Sequence, residues 1–543
     1  MRVTPRTLCL IALTTTACAV GSSRHGGDPG VETAGPLSRE EDRRGQPFGG
    51  MREIERREGR REERSAAKVR TIGRCDPGEK AQGKARFTIA HLNDLQARYS
   101  DRLEGKSRYA YIAGYLRQLQ QDVPGTLVLD AGDDYEKGAV AELRSMGETT
   151  RQMIQALPID VRTIGNHDFA YGEAAVMRDL GLSAHPVLAA NITHAQFADN
   201  EQPFKRFVRV DVGCVRVGVI GLVTQNYDAD DHPTKKPFDD VFEQSIRYAQ
   251  VLEREVKDHR DEVDVLIALT HLGYWDDTAL ALTPGAKGLD LVIGAHTEDL
   301  LERPLPATRQ DGSRTWIMQA GHFGRTLGRA DVVVNLDAAQ GRNGVSIERY
   351  KIVDVDASLP VATDVAELAA RLELEAAPDA GVPVATTRAE VRAGREMADL
   401  VRRAAASEWG ADALLVGRDV FWSGLPKGPV TLQRMYDSVF VQRQPSGTNG
   451  FSSLWLVDLT GAELTSLRTN LNSSLYEMYV PAKIDPKRRY RLAIEKRALT
   501  YPRLAFGIDP KLPTVAEAKL GGELIDVLEG YARSRTAKGE TLD

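Results

Sequence analysis

The sequence predicts an α/β layered domain followed by a smaller α+β domain. The chain has 543 residues, which is enough for two or three domains with large cores. After about residue 85, short runs of Val, Ile and Leu alternate with helical patterns. Because these runs are apolar throughout, they are typical of strands that are covered on both faces.

The first 18 residues have the pattern of a secretory signal. Arg2 and Arg6 precede the apolar core "LCLIAL", which is too short to span a bilayer as a mature helix. The ending "TTAC" resembles a bacterial lipoprotein box and implies lipidation of Cys18, although Thr15 stands where leucine is usual. Ordinary cleavage and secretion is the alternative. We therefore expect an exported protein, in the periplasm or attached to the outer membrane as a lipoprotein.

Residues 19–85 have no sustained apolar periodicity, and we predict a disordered, charged linker. The turn-forming stretch "GSSRHGGDPG" is followed by the mixed-charge run "MREIERREGRREERSAAKVR". We interpret the segment as a tether that lifts the folded part off a surface. A solvated tail without a role is the alternative.

The predicted α/β domain covers residues 86–356 and begins at "RFTIAHL". Further strands are predicted at 126–132, 161–167, 215–224, 263–271, 289–296, 329–337 and 345–356. Helical patterns fall between them, for example at 108–121 and 241–259. The alternation of the two patterns is the basis for the layered fold.

A helical connector over residues 357–381 and a second domain over residues 382–543 complete the chain. The second domain is mixed, with a helix predicted at 395–410, several short strands and a charged C-terminal helix. The formal net charge of -6 argues against a dedicated nucleic-acid binder. Four cysteines are too few for a disulfide scaffold, but an oxidising compartment permits one bridge between Cys75 and Cys214.

Polar side chains follow five of the predicted strands at the point where each strand ends. In chain order these are Asp94 with Gln96, then Asp133, Asn166 with His167, His271, and His296 with Glu298. We expect them to converge at one rim, in the crevice where open α/β sheets bind ligands. Carboxylates, an amide and imidazoles are what a two-cation site needs, with one shared carboxylate bridging the ions.

Each of these groups alone has a simpler explanation. Asp133 after Ala-Gly fits a helix N-cap, and "GNHD" fits an Asx-type turn. A single histidine after a strand, such as His271, is more often a loop or core residue than a ligand. Five strand-end sets in this order make coincidence a poor explanation.

The blocks "NDLQ", "DAGDD", "GNHDF", "THLG" and "GAHTE" resemble, in this order, those of the calcineurin-like metallophosphoesterases. The 5'-nucleotidase group is the nearest in appearance, since "HPVLAANI", "QAGHFGRTLGRADV" and "LTGAEL" also fit it, and the resemblance runs over about residues 86–470. It implies a four-layer α/β sandwich of the metallophosphoesterase type, followed by a domain like the 5'-nucleotidase C-terminal domain.

The resemblance also implies two divalent metal ions, drawn from Mn²⁺, Zn²⁺, Mg²⁺ and Fe²⁺. Asp133 corresponds to the carboxylate that bridges them. The implied partners at one ion are Asn166, His271 and His296, and those at the other are Asp94, Gln96 and Glu298. His167 corresponds to the catalytic residue that stabilises charge or protonates the departing oxygen, with Asn166 beside it.

Three positions depart from the pattern of the family. Gln96 stands where histidine is usual, and Glu298 stands where histidine or glutamine is usual. Ala170 stands where an aspartate often orients the catalytic histidine. Asp168, two residues earlier, cannot be assumed to replace that aspartate.

Gln96 and Glu298 change the chemistry of one implied site. The amide removes a nitrogen ligand that favours zinc, and the glutamate adds a negative charge. An all-oxygen shell of this kind suits Mn²⁺, Mg²⁺ or Ca²⁺ better than Zn²⁺. The other shell, with two imidazoles and an asparagine, accepts Zn²⁺, Mn²⁺ or Fe²⁺. We therefore predict a retuned site and not a dead one.

Related 5'-nucleotidases grip the nucleoside with a glycine-rich stretch ending in arginine and with aromatic residues near an Asn-Gly-Gly-Asp-type loop. Here the corresponding regions read "ADALLVGRDVFWSGLPKGPVTL" and "YRLAIEKRALTYPRLAFG", with few glycines and no Gly-Gly-Asp. The side chains that remain able to hold a flat group are Arg418, Phe421, Trp422, Tyr501, Arg503 and Phe506. The alternative is that these aromatic residues are ordinary core and surface residues.

The expected function is an exported, divalent-metal-dependent phosphoesterase that hydrolyses a nucleotide or a related phosphomonoester with a metal-activated water. A phosphodiester is a further candidate substrate. One alternative is a binding lipoprotein that kept the fold and lost catalysis, although five intact ligand and catalytic positions argue against this. A second alternative is a thiohydrolase of sulfur oxidation, which has a similar architecture.

Overall fold

The structure is a computed structural model that describes residues 69–136, 138–224, 226–227, 233–234, 241–337, 344–439 and 452–543. The predicted signal with Cys18 and the predicted linker up to residue 68 lie outside these ranges. In the part of the chain that the structure describes, no helix is long and apolar enough to cross a membrane.

The first domain contains two large sheets. The first sheet has seven strands in the spatial order Arg70–Ile72, Phe207–Val212, Val215–Val223, Val265–His271, Leu291–Ile293, Arg314–Met318 and Leu305–Thr308. The second sheet has six strands in the order Val345–Asp354, Thr326–Asn335, Lys84–Leu92, Thr126–Asp130, Val161–Thr163 and Val187–Leu188. The central strands of each sheet run parallel, so their carboxyl ends lie at one edge.

The two sheets pack face to face around a shared apolar core. Ile89 and Leu129 of the six-stranded sheet and Val219 and Ile267 of the seven-stranded sheet belong to this core. Helices cover the outer faces: Arg108–Asp122, Glu148–Ala156 and Thr363–Ala376 on one side, and Tyr248–His259 and Tyr274–Ala281 on the other. The predicted four-layer sandwich is confirmed, and the continuous apolar runs are the buried central strands.

Shorter elements complete this domain. The remaining helices are Pro77–Ala81, Val140–Arg144 and Glu173–Leu182, with 3₁₀ turns at Arg98–Ser100, His167–Phe169, Arg260–Glu262 and Pro284–Ala286. Three two-stranded pairs join Arg102–Leu103 to Lys106–Ser107, Ile192–His194 to Phe242–Gln244, and Asn226–Tyr227 to Pro233–Thr234.

The second domain is built on a mixed five-stranded sheet. Its strands lie in the order Tyr476–Tyr479, Ala413–Gly417, Arg489–Glu495, Ser453–Thr460 and Lys519–Glu523. Helices Arg395–Trp409 and Leu524–Ala537 pack on one face, and Gly461–Asn470, Lys496–Thr500 and Pro502–Phe506 pack on the other. The pair Pro383–Thr387 and Gly428–Thr431 and the helix Leu432–Tyr436 lie beside them. The predicted smaller α+β domain is thereby confirmed.

The two domains share an apolar core. Tyr135, Val140 and Ala170 of the first domain pack in the same cluster as Met397 and Leu528 of the second. A shared core excludes water from the contact, so it stabilises the association of the domains.

Regular secondary structure begins before residue 85, where the predicted linker ends. Arg70–Ile72 forms a parallel edge strand with Phe207–Val212, and a disulfide joins Cys75 to Cys214. The bridge spans 139 residues of sequence, so it anchors the segment to a hairpin that no local pattern connects with it. The prediction of a linker over residues 19–85 was therefore wrong at its C-terminal end.

The predicted helix over 241–259 was wrong in its first part. Phe242–Gln244 forms a strand beside Ile192–His194, and the helix begins only at Tyr248. Phe242 is fully buried and packs against Phe169 and Phe204. This burial favours an extended segment that directs the ring into the core.

Candidate metal centre

The carboxyl ends of five parallel strands meet at one edge of the two sheets, as the sequence predicts. The strand Lys84–Leu92 leads to Asp94 and Gln96, and Thr126–Asp130 leads to Asp133. The strands Val161–Thr163, Val265–His271 and Leu291–Ile293 lead in the same way to Asn166 with His167, to His271, and to His296 with Glu298. His271 is the last residue of its strand, and the other side chains lie on loops within five residues of a strand end.

Asp133, His271 and His296 form a compact group at this edge. One ligand atom from each lies within 4.8 Å of the ligand atoms of the other two. Among the residues that the structure describes, this is the only group of three His, Cys, Asp or Glu side chains with this spacing. A carboxylate and two imidazoles so placed are able to bind one divalent ion of the Zn²⁺, Mn²⁺ or Fe²⁺ type.

The ring of His271 is oriented as in a metal ligand. Its Nδ1 lies 2.8 Å from the backbone oxygen of Ala131, which makes Nδ1 the donor and leaves a lone pair on Nε2. That Nε2 atom lies 3.0 Å from Oδ2 of Asp133, without the geometry of a hydrogen bond. A carboxylate oxygen and an imidazole nitrogen that face each other in a buried site are placed to hold a cation, either a proton or a metal ion.

Several other predicted ligand atoms are buried without a hydrogen-bond partner. These atoms are Oδ1 of Asp94, Oε1 of Gln96 and Oδ1 of Asn166. A buried polar atom left unpaired costs about 1–3 kcal/mol, so such atoms need an explanation. Their convergence beside Asp133 and His271 fits bound cations, and the residues present therefore suit the metal ions that the family resemblance implies.

The backbone is strained at the same positions. Six non-glycine residues of the site have positive φ angles: Asp94 (51°), Gln96 (46°), Asp133 (57°), Glu136 (67°), His296 (77°) and Glu298 (57°). A residue in this region costs about 1–3 kcal/mol and persists only where the surroundings determine its conformation. The clustering of strain at one rim indicates a functional site.

Glycines provide the space for this arrangement. A Cβ atom at Gly165 would lie 2.0 Å from Oδ1 of Asp133 and 2.7 Å from Cε1 of His271. A Cβ atom at Gly132 would lie 2.5 Å from the backbone carbon of Ile164, and Gly132 also has a φ of 84°. The two glycines allow the loops that carry Asp133 and Asn166 to approach each other closely.

Asp168 holds the backbone of the site in place through hydrogen bonds and an ion pair. Its Oδ2 accepts hydrogen bonds of 2.8 Å from the backbone N–H groups of Asp133 and Gly165. Its Oδ1 lies 2.9 Å from the buried guanidinium of Arg162, which also pairs with Asp134 and Asp179. Asp168 therefore holds the two loops together, and it does not take over the orientation of His167.

Glu136 is a residue of the site that the sequence analysis missed. Its Oε2 is hydrogen-bonded to Nδ1 of His167, and both side chains are buried. The residue stands three positions after Asp133 in "DAGDDYE", so its place in a ligand-bearing loop was the available signal.

The predicted ligands of the second ion are arranged differently from those of the first. Nε2 of Gln96 donates a hydrogen bond of 2.9 Å to Oε1 of Glu298, and Nδ1 of His322 lies 3.0 Å from Oε2 of the same glutamate. Asp94 accepts hydrogen bonds from Asn93 and from the backbone of His296. The structure thus brings Gln96 and Glu298 together beside Asp94, and their role as ligands stays a prediction.

Burial and neighbouring charges shift the pKa values at this rim. Burial raises the pKa of Asp94 to about 7, the Asp133 carboxylate adds to the rise, and His271 opposes it. Burial acts to lower the pKa of His271, but the Asp133 carboxylate overrides this effect and raises the pKa to about 10. Protons are therefore held where a cation would neutralise the same carboxylates, and metal binding would release them.

The predicted substrate residues of the second domain do not share one environment. Arg418 pairs with Glu477 at 2.7 Å, and Trp422 stacks on Phe323 with ring centroids 5.4 Å apart. The guanidinium of Arg98 lies 5.4 Å from the Trp422 ring, which places Trp422 at the contact between the domains. Tyr501 lies half-buried between two short helices.

Two aromatic residues belong to the core, as the alternative interpretation held. Phe506 is only 2 % exposed and packs with Leu499 in one apolar cluster of the second domain. Phe421 is also buried, in the core shared by both domains. Arg503 is exposed and pairs with Asp509. The prediction that Phe506 contacts substrate was wrong, because its ring fills the core.

Comparison with known proteins agrees with the geometry of the site. Residues 87–298 match the family model of the calcineurin-like phosphoesterases. The snake venom 5'-nucleotidase of Crotalus adamanteus is 29% identical over 298 residues, which are 49% of this chain and 48% of that protein. The chain spans about half the length of the curated relatives it matches.

Solved structures share the fold over most of the chain. A 5'-nucleotidase precursor from Thermus thermophilus aligns with a TM-score of 0.63 at 18% identity, over 83% of this chain and 96% of that one. The sulfate thiohydrolase SoxB of Thermus thermophilus aligns with a TM-score of 0.59 at 19% identity, over 82% of this chain and 94% of that one. Both the first domain and the mixed-sheet second domain are thus of a known type.

Proposed function

We propose that this chain, which joins a calcineurin-like phosphoesterase domain to a second domain as in 5'-nucleotidases, is an exported, metal-dependent phosphoesterase. The observation that carries the proposal is the group of Asp133, His271 and His296, together with buried ligand atoms that have no hydrogen-bond partner. Such a site is poised to hold divalent cations.

The proposed substrate is a phosphomonoester, with nucleoside monophosphates as the first candidates. The similarity to a snake venom 5'-nucleotidase supports this choice. Trp422 lies at the domain contact beside Arg98 and Phe323, where it is the best placed of the predicted residues to stack on a base. The disulfide between Cys75 and Cys214 supports an extracytoplasmic location, because such bonds persist in oxidising compartments. The attachment to a membrane through lipidated Cys18 is part of the proposal.

Two divalent ions would be held in the site, one by Asp133, Asn166, His271 and His296, and one by Asp133, Asp94, Gln96 and Glu298. When bound, the ions supply Lewis-acid charge to the phosphoryl oxygens and activate the attacking water. The Ala131 carbonyl keeps Nε2 of His271 directed at the first site. The hydrogen bond from Gln96 to Glu298 uses the amide nitrogen of Gln96 and leaves its Oε1 atom as the ligand atom of the second site. We assign this oxygen-rich site to Mn²⁺ or Mg²⁺ in preference to Zn²⁺.

His167 is the proposed acid. Its backbone N–H donates a hydrogen bond of 2.8 Å to Oδ1 of Asp133, and its Nε2 lies 4.0 Å from Oδ2 of the same residue. A proton on Nε2 would be given to the leaving oxygen, and the ring would keep its other proton on Nδ1. General-acid catalysis of this kind contributes roughly 10²–10⁴ to the rate.

Phosphate release by the full chain tests the proposal. The assay uses AMP, p-nitrophenyl phosphate and its bis ester, each with Mn²⁺, with Zn²⁺ or with EDTA. We expect turnover of at least one monoester with Mn²⁺ or Zn²⁺ and a fall to background with EDTA, because the ions supply the Lewis-acid charge. His271→Asn should be inactive, whereas His259→Asn should be active, since His259 stacks on Phe207 away from the site.

Two results would favour a different function for this chain. No turnover with any metal, together with a thermal stability that chelation leaves unchanged, would favour a binding protein on the same fold. Release of sulfate from a sulfur-bonded substrate without release of phosphate would favour a thiohydrolase, whose fold the chain also resembles.

A further inference from the structure

The imidazole of His167 has a carboxylate partner from a neighbouring loop. Nδ1 of His167 is hydrogen-bonded to Oε2 of Glu136. His167 follows the strand Val161–Thr163, whereas Glu136 follows the strand Thr126–Asp130. The side chain of Glu136 is 2 % exposed and that of His167 is 9 % exposed, so the contact is shielded from water.

The positions next to His167 in sequence do not supply this carboxylate. Ala170 has no carboxylate and is buried in the apolar core shared by the two domains, in the same cluster as Tyr135 and Tyr171. Asp168 is committed to Arg162 on one oxygen and to two backbone N–H groups on the other. Glu136 therefore takes the place that neither neighbour fills.

Glu136 is itself held in position. Its backbone N–H donates a hydrogen bond of 2.6 Å to Oε1 of Glu142, which is fully buried. Glu136 has a φ of 67°, a conformation that a non-glycine residue keeps only when its surroundings enforce it. The loop thus uses backbone strain to direct the carboxylate at the His167 ring.

We propose that Glu136 is the positioning residue for His167. It accepts the Nδ1 proton, fixes the tautomer and the rotation of the ring, and turns Nε2 towards the metal centre. Nε2 then lies 4.0 Å from Oδ2 of Asp133, on the side where the leaving group would depart. A carboxylate that accepts a hydrogen bond from a catalytic imidazole fixes the orientation of the ring in this way. The catalytic part of this inference rests on the proposed phosphoesterase function, whereas the expected tautomer of the His167 ring does not.

The test compares Glu136→Ala with the conservative Glu136→Gln in the full chain. With Mn²⁺, Glu136→Ala should lower kcat on AMP by about 10–100-fold with KM changed little, because a misplaced acid loses part of its contribution. On p-nitrophenyl phosphate the loss should be much smaller, since nitrophenolate leaves without a proton. Glu136→Gln keeps an acceptor for Nδ1–H and should recover part of the activity.

A second measurement does not depend on turnover. Long-range ¹H–¹⁵N spectra of the metal-free protein, with the His167 signals assigned from His167→Asn, report which ring nitrogen carries the proton. We expect protonation at Nδ1 in the natural protein and a shift towards the Nε2 tautomer in Glu136→Ala. Titration with Mn²⁺ should show unchanged binding in this variant.

Glu173→Gln is the matched control, since Glu173 also contacts a buried histidine, His194, at 3.1 Å. It should leave both the activity and the His167 signals unchanged. An unaltered His167 tautomer in Glu136→Ala would overturn the proposal, and so would equal losses on both substrates accompanied by loss of Mn²⁺ binding. If the natural protein hydrolyses neither ester, the phosphoesterase proposal fails, and the tautomer measurement still decides the role of Glu136.

Discussion

Asp133→Asn is expected to abolish the binding of Mn²⁺ and to lower kcat/KM by at least about 10²-fold. The carboxylate of Asp133 lies between the two proposed sites, 3.0 Å from Nε2 of His271 and within reach of His296. Its replacement removes a negative charge from both shells, and a bound ion is worth several kcal/mol to the transition state. The asparagine oxygen is still able to accept the hydrogen bond from the backbone of His167.

Calorimetric titration with Mn²⁺ and initial-rate measurements check this expectation. The natural protein should bind two ions per chain, and Asp133→Asn should bind neither tightly. Asp264→Asn is the control, because Asp264 precedes the strand Val265–His271 at the end opposite His271 and pairs with Arg216. Normal Mn²⁺ binding and activity in Asp133→Asn would contradict the bridging role, and one tight ion per chain that excess Mn²⁺ leaves unchanged would contradict the second site.

Arg162→Met is expected to lower the free energy of unfolding by about 3–5 kcal/mol. Arg162 is fully buried and pairs with three carboxylates, those of Asp134, Asp168 and Asp179, at 2.8–2.9 Å. Removing one partner of a buried ion pair leaves uncompensated charges inside the protein, which accounts for a loss of this size. Because Asp168 also holds the backbone of Asp133 and Gly165, the variant should bind Mn²⁺ more weakly than the natural protein.

Urea denaturation measures the change in stability. Arg209→Met provides the comparison, since Arg209 pairs with Asp211 on a partly exposed strand and should cost no more than about 1 kcal/mol. If the two variants unfold at the same urea concentration, the buried cluster does not stabilise the site.

The location of the site was predictable because it depends on strand ends. Apolar runs reveal the buried strands, and the residue after each run is placed by the parallel topology. Asp133, His271 and His296 follow three such strands and meet at one edge in the structure. Their convergence needed only the order of the elements and no detail of the loops.

The supporting residues could not be predicted in the same way. Arg162 occupies a strand position where a charged residue normally indicates a solvent-facing side, and ion pairs with three aspartates make its burial possible. Glu136 reaches His167 through a loop conformation with positive φ, which a glutamate rarely adopts. The predicted bridge from Cys75 to Cys214 is confirmed, but it joins residues 139 positions apart, so the expectation came from the oxidising compartment and not from any local pattern.

In the second domain, the sequence predicts a substrate contact at a residue that lies in the core. Aromatic residues in the region that corresponds to the nucleoside grip predict substrate contacts, yet the Phe506 ring fills the core. A short apolar stretch has the same appearance whether it faces a ligand or the interior. Only the packing around it distinguishes the two, and packing is a property of the whole domain.

Anomalous diffraction from crystals grown with Mn²⁺ tests the central claim most directly. We predict a strong peak in contact with Oδ2 of Asp133 and Nε2 of His271, next to the His296 ring, and a second peak on the Asp94 side of Asp133. The absence of any peak at Asp133 under saturating Mn²⁺ would contradict the account.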